Sequence, residues 1–176
     1  RLNFTTVATM ALTLAFIAAA AWEWARLNGI AGAGASLTGL LCAVACAVLW
    51  WSGAVERPLP LLWAVAGALW VLGGVWLLKR GVGGWSALPR GPRWLIGVVM
   101  LCLAWLAIAQ ARRVGINFLL SVLVLVWAAD IFAYFAGRAL GGRLTGGRKL
   151  APAISPGKSW EGVWGGMLGV LAVAAV

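Results

Sequence analysis

Asp130 stands in "LVLVWAADIFAYFAGRAL", an apolar stretch with no other charge until Arg138. An ionised carboxylate in hydrocarbon costs roughly 2.5–3.5 kcal/mol on insertion scales, so a chain keeps one there for a polar cavity or a site. Tyr134, Gly137 and Arg138 follow at i+4, i+7 and i+8, and on a helix all four share one face. Asp130 and Arg138 are then about 12 Å apart along the axis, too far for a direct pair but close enough to line one pocket. From Arg138 to Lys158 the chain carries five cations (Arg138, Arg143, Arg148, Lys149, Lys158) and no acid. Gly141, Gly142, Gly146 and Gly147 let a backbone approach a ligand closely. Such a loop suits phosphate oxygens. Lys158 would supply a point charge, Arg148 and Lys149 further phosphate contacts, and Ser155 and Ser159 hydroxyls. Pro152 and Pro156 stiffen the loop, so less entropy is lost on binding. "PGKS" looks like the end of a P-loop, but Pro152 holds the position where that pattern needs Gly, and a preceding strand is not expected.

The elements that position these residues are membrane helices. Of 176 residues, 64% are hydrophobic and 10% charged, and mean hydropathy is +0.99. That is too little charge to cover a soluble surface, and the apolar residues come in long runs. The expected fold is all-α, a polytopic transmembrane bundle with spans near residues 3–27, 37–52, 59–78, 94–110, 116–140 and 160–176. We read residues 1–176 as a single integral membrane domain with a phosphate-binding loop at 138–159. Both ends look cut, as in a piece of a longer chain. Many of the 13 Trp fall at span ends (Trp22, Trp24, Trp50, Trp51, Trp94, Trp160), the pattern of an interfacial belt. Residues 81–92 are Gly- and Pro-rich and read as a surface connection.

The formal charge is +10. Most of it sets topology: ten cations follow spans one, three and five, and four lie on the opposite side. The positive-inside rule puts the 138–159 loop in the cytoplasm. No soluble basic face exists for nucleic acid. Glu23 and Arg26 read as an interfacial ion pair. Cys42 and Cys46 have no His or carboxylate nearby and read as small packing residues rather than metal ligands. Gly162 with Gly166, and Gly165 with Gly169, let another helix approach span six closely. A homodimer is among the expected partners. Ser159 could cap this helix. Glu161 either complements its dipole or faces a pocket, with nothing to choose between them.

"WAADIFAYFAGRALGG" followed by "RKLAPAISPGKSWEGVWGG" resembles the central region of the phosphatidate cytidylyltransferase (CDP-diacylglycerol synthase) family, and "AAWEWARLNG" at Ala20–Gly29 is similar to bacterial members. The resemblance implies a polytopic enzyme of phospholipid synthesis, in a bacterial inner membrane. It would join phosphatidate to CTP with release of pyrophosphate and require a divalent metal, usually Mg²⁺. It places Asp130, Ser155, Lys158 and Trp160–Gly162 on motif positions. Asp130 and Lys158 become the catalytic candidates, Asp130 also the metal ligand. Ser155, Ser159, Arg138, Arg148, Lys149 and Tyr134 become substrate-binding candidates. The family's C-terminal signature, with its Lys-Asp pair, His-Gly-Gly and Asp-Arg-x-x-Asp, does not occur here. The segment alone is therefore expected to be inactive. Two other readings predict different behaviour: an ion- or proton-coupled transporter using Asp130, and a structural scaffold built on span six.

Overall fold

The computed structural model describes residues 4–152 and 155–175. Six helices and one hairpin follow in the order α1 (Phe4–Leu27), α2 (Ala33–Trp51), α3 (Pro60–Ser86), α4 (Arg90–Val114), α5 (Ile116–Leu140), β1 (Lys149–Ala151), β2 (Ser155–Ser159), α6 (Trp160–Ala174). The first five are long and apolar enough to cross a membrane. α6 is apolar over 15 described residues, about 22 Å at 1.5 Å per residue. The expected all-α membrane bundle is thus the observed architecture. α2 and α4 run longer than hydropathy alone suggested, because their outer turns carry polar or charged residues such as Arg90, Arg93, Arg112 and Arg113. The expected connection at 81–92 is partly helical. α3 continues to Ser86 past a break at Gly81 (φ 64°, ψ −161°), a left-handed conformation that suits Gly. Only residues 87–89 separate it from α4.

The chain forms two compact units. One comprises Arg1–Ala64 with Leu88–Ile116, the other Val65–Ala87 with Asn117–Val176. In the first, α1, α2 and α4 pack around Met10, Cys46, Val55, Trp105, Leu106 and Ala109. Lipid gives no hydrophobic drive between helices, so close packing and polar bonds must hold them. Both are present. A Cβ on Gly39 would lie 2.8 Å from the Ala18 carbonyl oxygen, so α1 and α2 approach closely at this point. A Cβ on Gly97 would run into the indole of Trp24. Trp24 Nε1 donates to the Trp94 carbonyl at 3.1 Å, Trp94 Nε1 to Thr38 Oγ1 at 3.2 Å, and Trp105 Nε1 to Thr13 Oγ1 at 3.2 Å. Several Trp therefore lock helices together, while Trp51 is 89% exposed. Arg26 pairs with Glu23 at 3.2 Å, as its spacing predicted.

The two ends of this unit sort as alternating crossings require. The Arg90 guanidinium lies beside Gly29, in the turn after α1. At the other end, Gln110 Nε2 donates to the carbonyls of Ala54 and Arg57 at 2.9 and 3.0 Å, and Arg113 pairs with Glu56 at 2.6 Å.

Candidate functional site

The second unit holds every residue named above for phosphate chemistry. Its frame is an antiparallel pair, α5 and α6, in contact along small residues. A Cβ on Gly162 would lie 3.0 Å from the Ala133 carbonyl oxygen, and one on Gly166 2.9 Å from that of Ala129. One on Gly165 would meet Ala136 Cβ, and one on Gly169 the Phe132 ring. Both small-xxx-small pairs of α6 are thus consumed by α5 of the same chain. Gly166→Ala is expected to destabilise the protein by about 1–3 kcal/mol, since the obstacle is backbone and cannot swing away. Gly73→Ala on α3, where nothing lies within 4 Å, should be neutral or slightly stabilising. Thermal unfolding midpoints of detergent-solubilised protein separate the two.

Gly137 belongs to the same seam. The room it leaves is taken by α6, with Gly162 Cα and Ser159 Oγ each 3.6 Å from where its Cβ would be. Ser159, 5% exposed, is the N-cap of α6 (φ −118°, ψ 161°), and its Oγ accepts from the Gly162 amide at 3.3 Å.

Before the cap, β1 and β2 form an antiparallel hairpin with Lys149 opposite Ser159 and Ala151 opposite Ser155, and a bulge between. "SPGKS" is the second strand itself. This is a small β element inside an otherwise helical chain. Pro156 is tolerated in such an edge strand. Lys158 and Lys149 are exposed and Ser155 half-buried. Among the described residues no hydrogen bond or ion pair engages Lys158, Lys149 or Arg148 through its side chain.

The Gly-rich stretch ahead of the hairpin is organised by Glu161, a residue whose role the sequence left open. Glu161 is 2% exposed. Its Oε1 accepts from the amides of Gly142, Leu144 and Thr145 at 3.1, 3.2 and 3.0 Å, and from Thr145 Oγ1 at 2.8 Å. Gly142, Gly146 and Gly147 have φ of 83°, 63° and 80°, so the chain can curl around one carboxylate oxygen. Three amides of the loop read as suited to phosphate therefore face the chain's own anion. Oε2 of Glu161 is buried with no hydrogen-bond partner among the described residues.

Glu161 lies at the N-terminal end of α6, outside the five long apolar helices. Hydrogen bonding from its own backbone, then from Thr145 and Ser159, holds its carboxyl down to about 2, against burial, which raises it. The folded state therefore favours the ionised form. This contribution to stability is complete above the ordinary carboxylate value of 4.5 and is lost as pH falls toward about 2. Protease sensitivity of the 142–147 loop should stay flat from neutral pH to about 5 and rise below it.

Asp130 lies on the wall of a groove of about 490 Å³ between α5 and α6, with Ala129, Ala133, Val163, Met167 and Val170. Its side chain makes no hydrogen bond or ion pair among the described residues. Ten residues of α5 separate it from the start of the loop, about 15 Å of helix. Tyr134 and Arg138 are exposed and paired, Arg138 Nη1 donating to Tyr134 Oη at 2.9 Å. Asp130, Tyr134 and Arg138 thus form a row beside the glycine seam, climbing from the groove toward the loop. The groove's other walls are apolar.

Could these residues hold a divalent cation? Mg²⁺ takes oxygen ligands in an octahedron, commonly one or two carboxylates with water and substrate phosphates. Among the described residues no group of three or more acidic side chains converges, and Glu161 Oε1 is fully engaged. Asp130 fits as one ligand and does not make a site.

A cationic hairpin clamped at the end of a glycine-packed helix pair, in a chain of long apolar helices, defines the class: a polytopic membrane protein that carries exposed positive charge on a small, fixed β element. Residues 2–176 match the cytidylyltransferase family, and the chain belongs to it. It is 38% identical over 162 residues to a phosphatidate cytidylyltransferase of Pseudomonas aeruginosa, covering 87% of this chain and 55% of that one. A phosphatidate cytidylyltransferase of Haemophilus influenzae is 56% identical over 62 residues, 35% of this chain and 20% of that one. One of Staphylococcus epidermidis is 35% identical over 74 residues, 42% and 26% respectively. The chain spans about half the length of the Pseudomonas relative. No solved structure matches it.

Proposed function

We propose that the chain supplies the phosphate-handling part of a phosphatidate cytidylyltransferase, at the cytoplasmic face of a bacterial inner membrane. One observation carries this reading: a hairpin bearing free cations, Lys149 and Lys158, is fixed beside a Gly-rich loop that Glu161 clamps shut. The identity to relatives of that name supports it. In the reaction a phosphate oxygen of phosphatidate attacks the α-phosphorus of CTP. A P–O bond forms, the bond to the β-phosphate oxygen breaks, and pyrophosphate leaves. Such transfers ask the protein mainly for positioning and charge neutralisation.

Lys158 neutralises charge developing on the transferred and leaving phosphates. Arg148, Lys149 and Ser155 hold the triphosphate, and Ser159, buried as the cap of α6, anchors the strand that presents Lys158 to it. Arg138, oriented by Tyr134, takes the lipid phosphate. The apolar groove beside Asp130 takes lipid from the bilayer, and Asp130 is one oxygen ligand for the divalent metal, Mg²⁺ by resemblance. That ion supplies charge neutralisation when bound. Its other ligands would come from substrate, water and the remainder of the enzyme. A homodimer would have to use a face other than the glycine seam.

The complete natural chain in proteoliposomes should form CDP-diacylglycerol from CTP and phosphatidate, and Asp130→Asn should lower the rate by about 10²-fold or more. The 176-residue chain alone should give no product. Flux of ions without any need for CTP would overturn the reading.

A further inference from the structure

The other unit carries a cluster that the phosphate chemistry does not use. Cys42 and Cys46 lie one turn apart on α2, and Cys102 reaches them from the middle of α4. Their sulfurs all lie within 4.8 Å of one another, with Cys42 Sγ and Cys102 Sγ 3.6 Å apart. None is in a disulfide; Cys42 and Cys46 are buried and Cys102 half-buried, which leaves an approach from one side.

The spacing is what a metal would require. Sulfur-to-metal bonds of about 2.3 Å in a trigonal shell put the sulfurs about 4 Å apart. The observed spread brackets that value, so binding needs side-chain rotation rather than helix movement. The chain has no His, and no carboxylate joins the group, so every donor is soft. Three donors are one short of the closed tetrahedral shell of structural zinc. That favours an ion content with three. The cluster sits near the middle of two spans, where net charge is expensive, and a divalent ion offsets more of the charge of three thiolates than a monovalent one.

We propose that Cys42, Cys46 and Cys102 form a three-sulfur site for a soft divalent cation of the cadmium–mercury class. On binding, three S–H bonds break and three metal–sulfur bonds form, three protons pass to water, and no atom changes oxidation state. The site ties α2 to α4 and is independent of the phosphate-handling loop.

The test uses the complete natural chain, reduced and purified in detergent, exposed to Cd(II) and then gel-filtered. Metal is counted by mass spectrometry, and the ion's neighbours are read by X-ray absorption. The expected result is one tightly retained ion surrounded by sulfur only. Cys42→Ala and Cys102→Ala should each cut retention about tenfold or more. Absence of a retained ion, oxygen or nitrogen bonded to it, or retention unchanged by Cys102→Ala would each overturn the site. The ion's neighbours are measured on wild-type protein, so that result does not depend on whether a variant folds.

Discussion

Lys158→Ala in the complete enzyme is expected to lower cytidylyl transfer by about 10²–10³-fold, the size seen when one preorganised charge donor is removed from a developing anion. Protein abundance and unfolding temperature should not change. Lys158 is exposed on β2, and among the described residues no acidic group or hydrogen-bond acceptor engages its ammonium. Nothing in the fold therefore depends on it. Lys158→Arg should recover part of the rate, since charge is kept while the compact ammonium is lost. Initial rates of CDP-diacylglycerol formation, with quantitative immunoblots, separate the two effects. A parallel loss of rate and abundance would assign Lys158 to folding.

The second large effect is expected at Glu161. Glu161→Ala removes the acceptor of four donors at once and leaves three amides and a hydroxyl of a half-buried loop without it. The 142–147 loop should open, become protease-sensitive and release the hairpin from its fixed place at the start of α6. Activity should fall by about 10²-fold. Glu161→Gln should retain more, because a carbonyl oxygen can still accept from the loop. Its amide would replace Oε2, which has no partner to lose. The conservative variant should thus restore protease resistance more fully than it restores turnover. Equal behaviour of Ala and Gln would show that the loop does not rely on this acceptor.

The six helices were legible in the sequence because lipid imposes a simple rule: every buried backbone group must be paired within an apolar run. Observed ends such as Leu27 of α1 and Ile116 and Leu140 of α5 fall on the hydropathy edges. The glycine seam was legible too, although its partner was not. Spacing reveals that α6 can be approached closely and is silent on whether α5 or another chain does so. Three features were hidden. The hairpin at 149–159 rests on a bulged register of few residues, with Pro156 inside a strand, against local propensity. Glu161 sits where a helix-dipole acid and a loop clamp have the same sequence signature, and only the fold of 142–145 tells them apart. Cys102 is 60 residues from Cys42, and the rotation of α4 that joins them has no periodic signal. Asp130 stands out in the sequence as the lone acid of an apolar run. Hydropathy does not say what surrounds it, and the apolar groove along α6 became visible only once the seam was folded.

The central claim is that the 149–159 hairpin faces the cytoplasm and binds CTP phosphates. Gly157→Cys tests it most directly, since the position is exposed and a Cβ there meets nothing within 4 Å. A membrane-impermeant maleimide should label this variant, in the complete chain, in inside-out vesicles and not in right-side-out ones, and CTP should slow the labelling while ribose 5-phosphate does not. Labelling from the outer face, or labelling indifferent to CTP, would contradict the account.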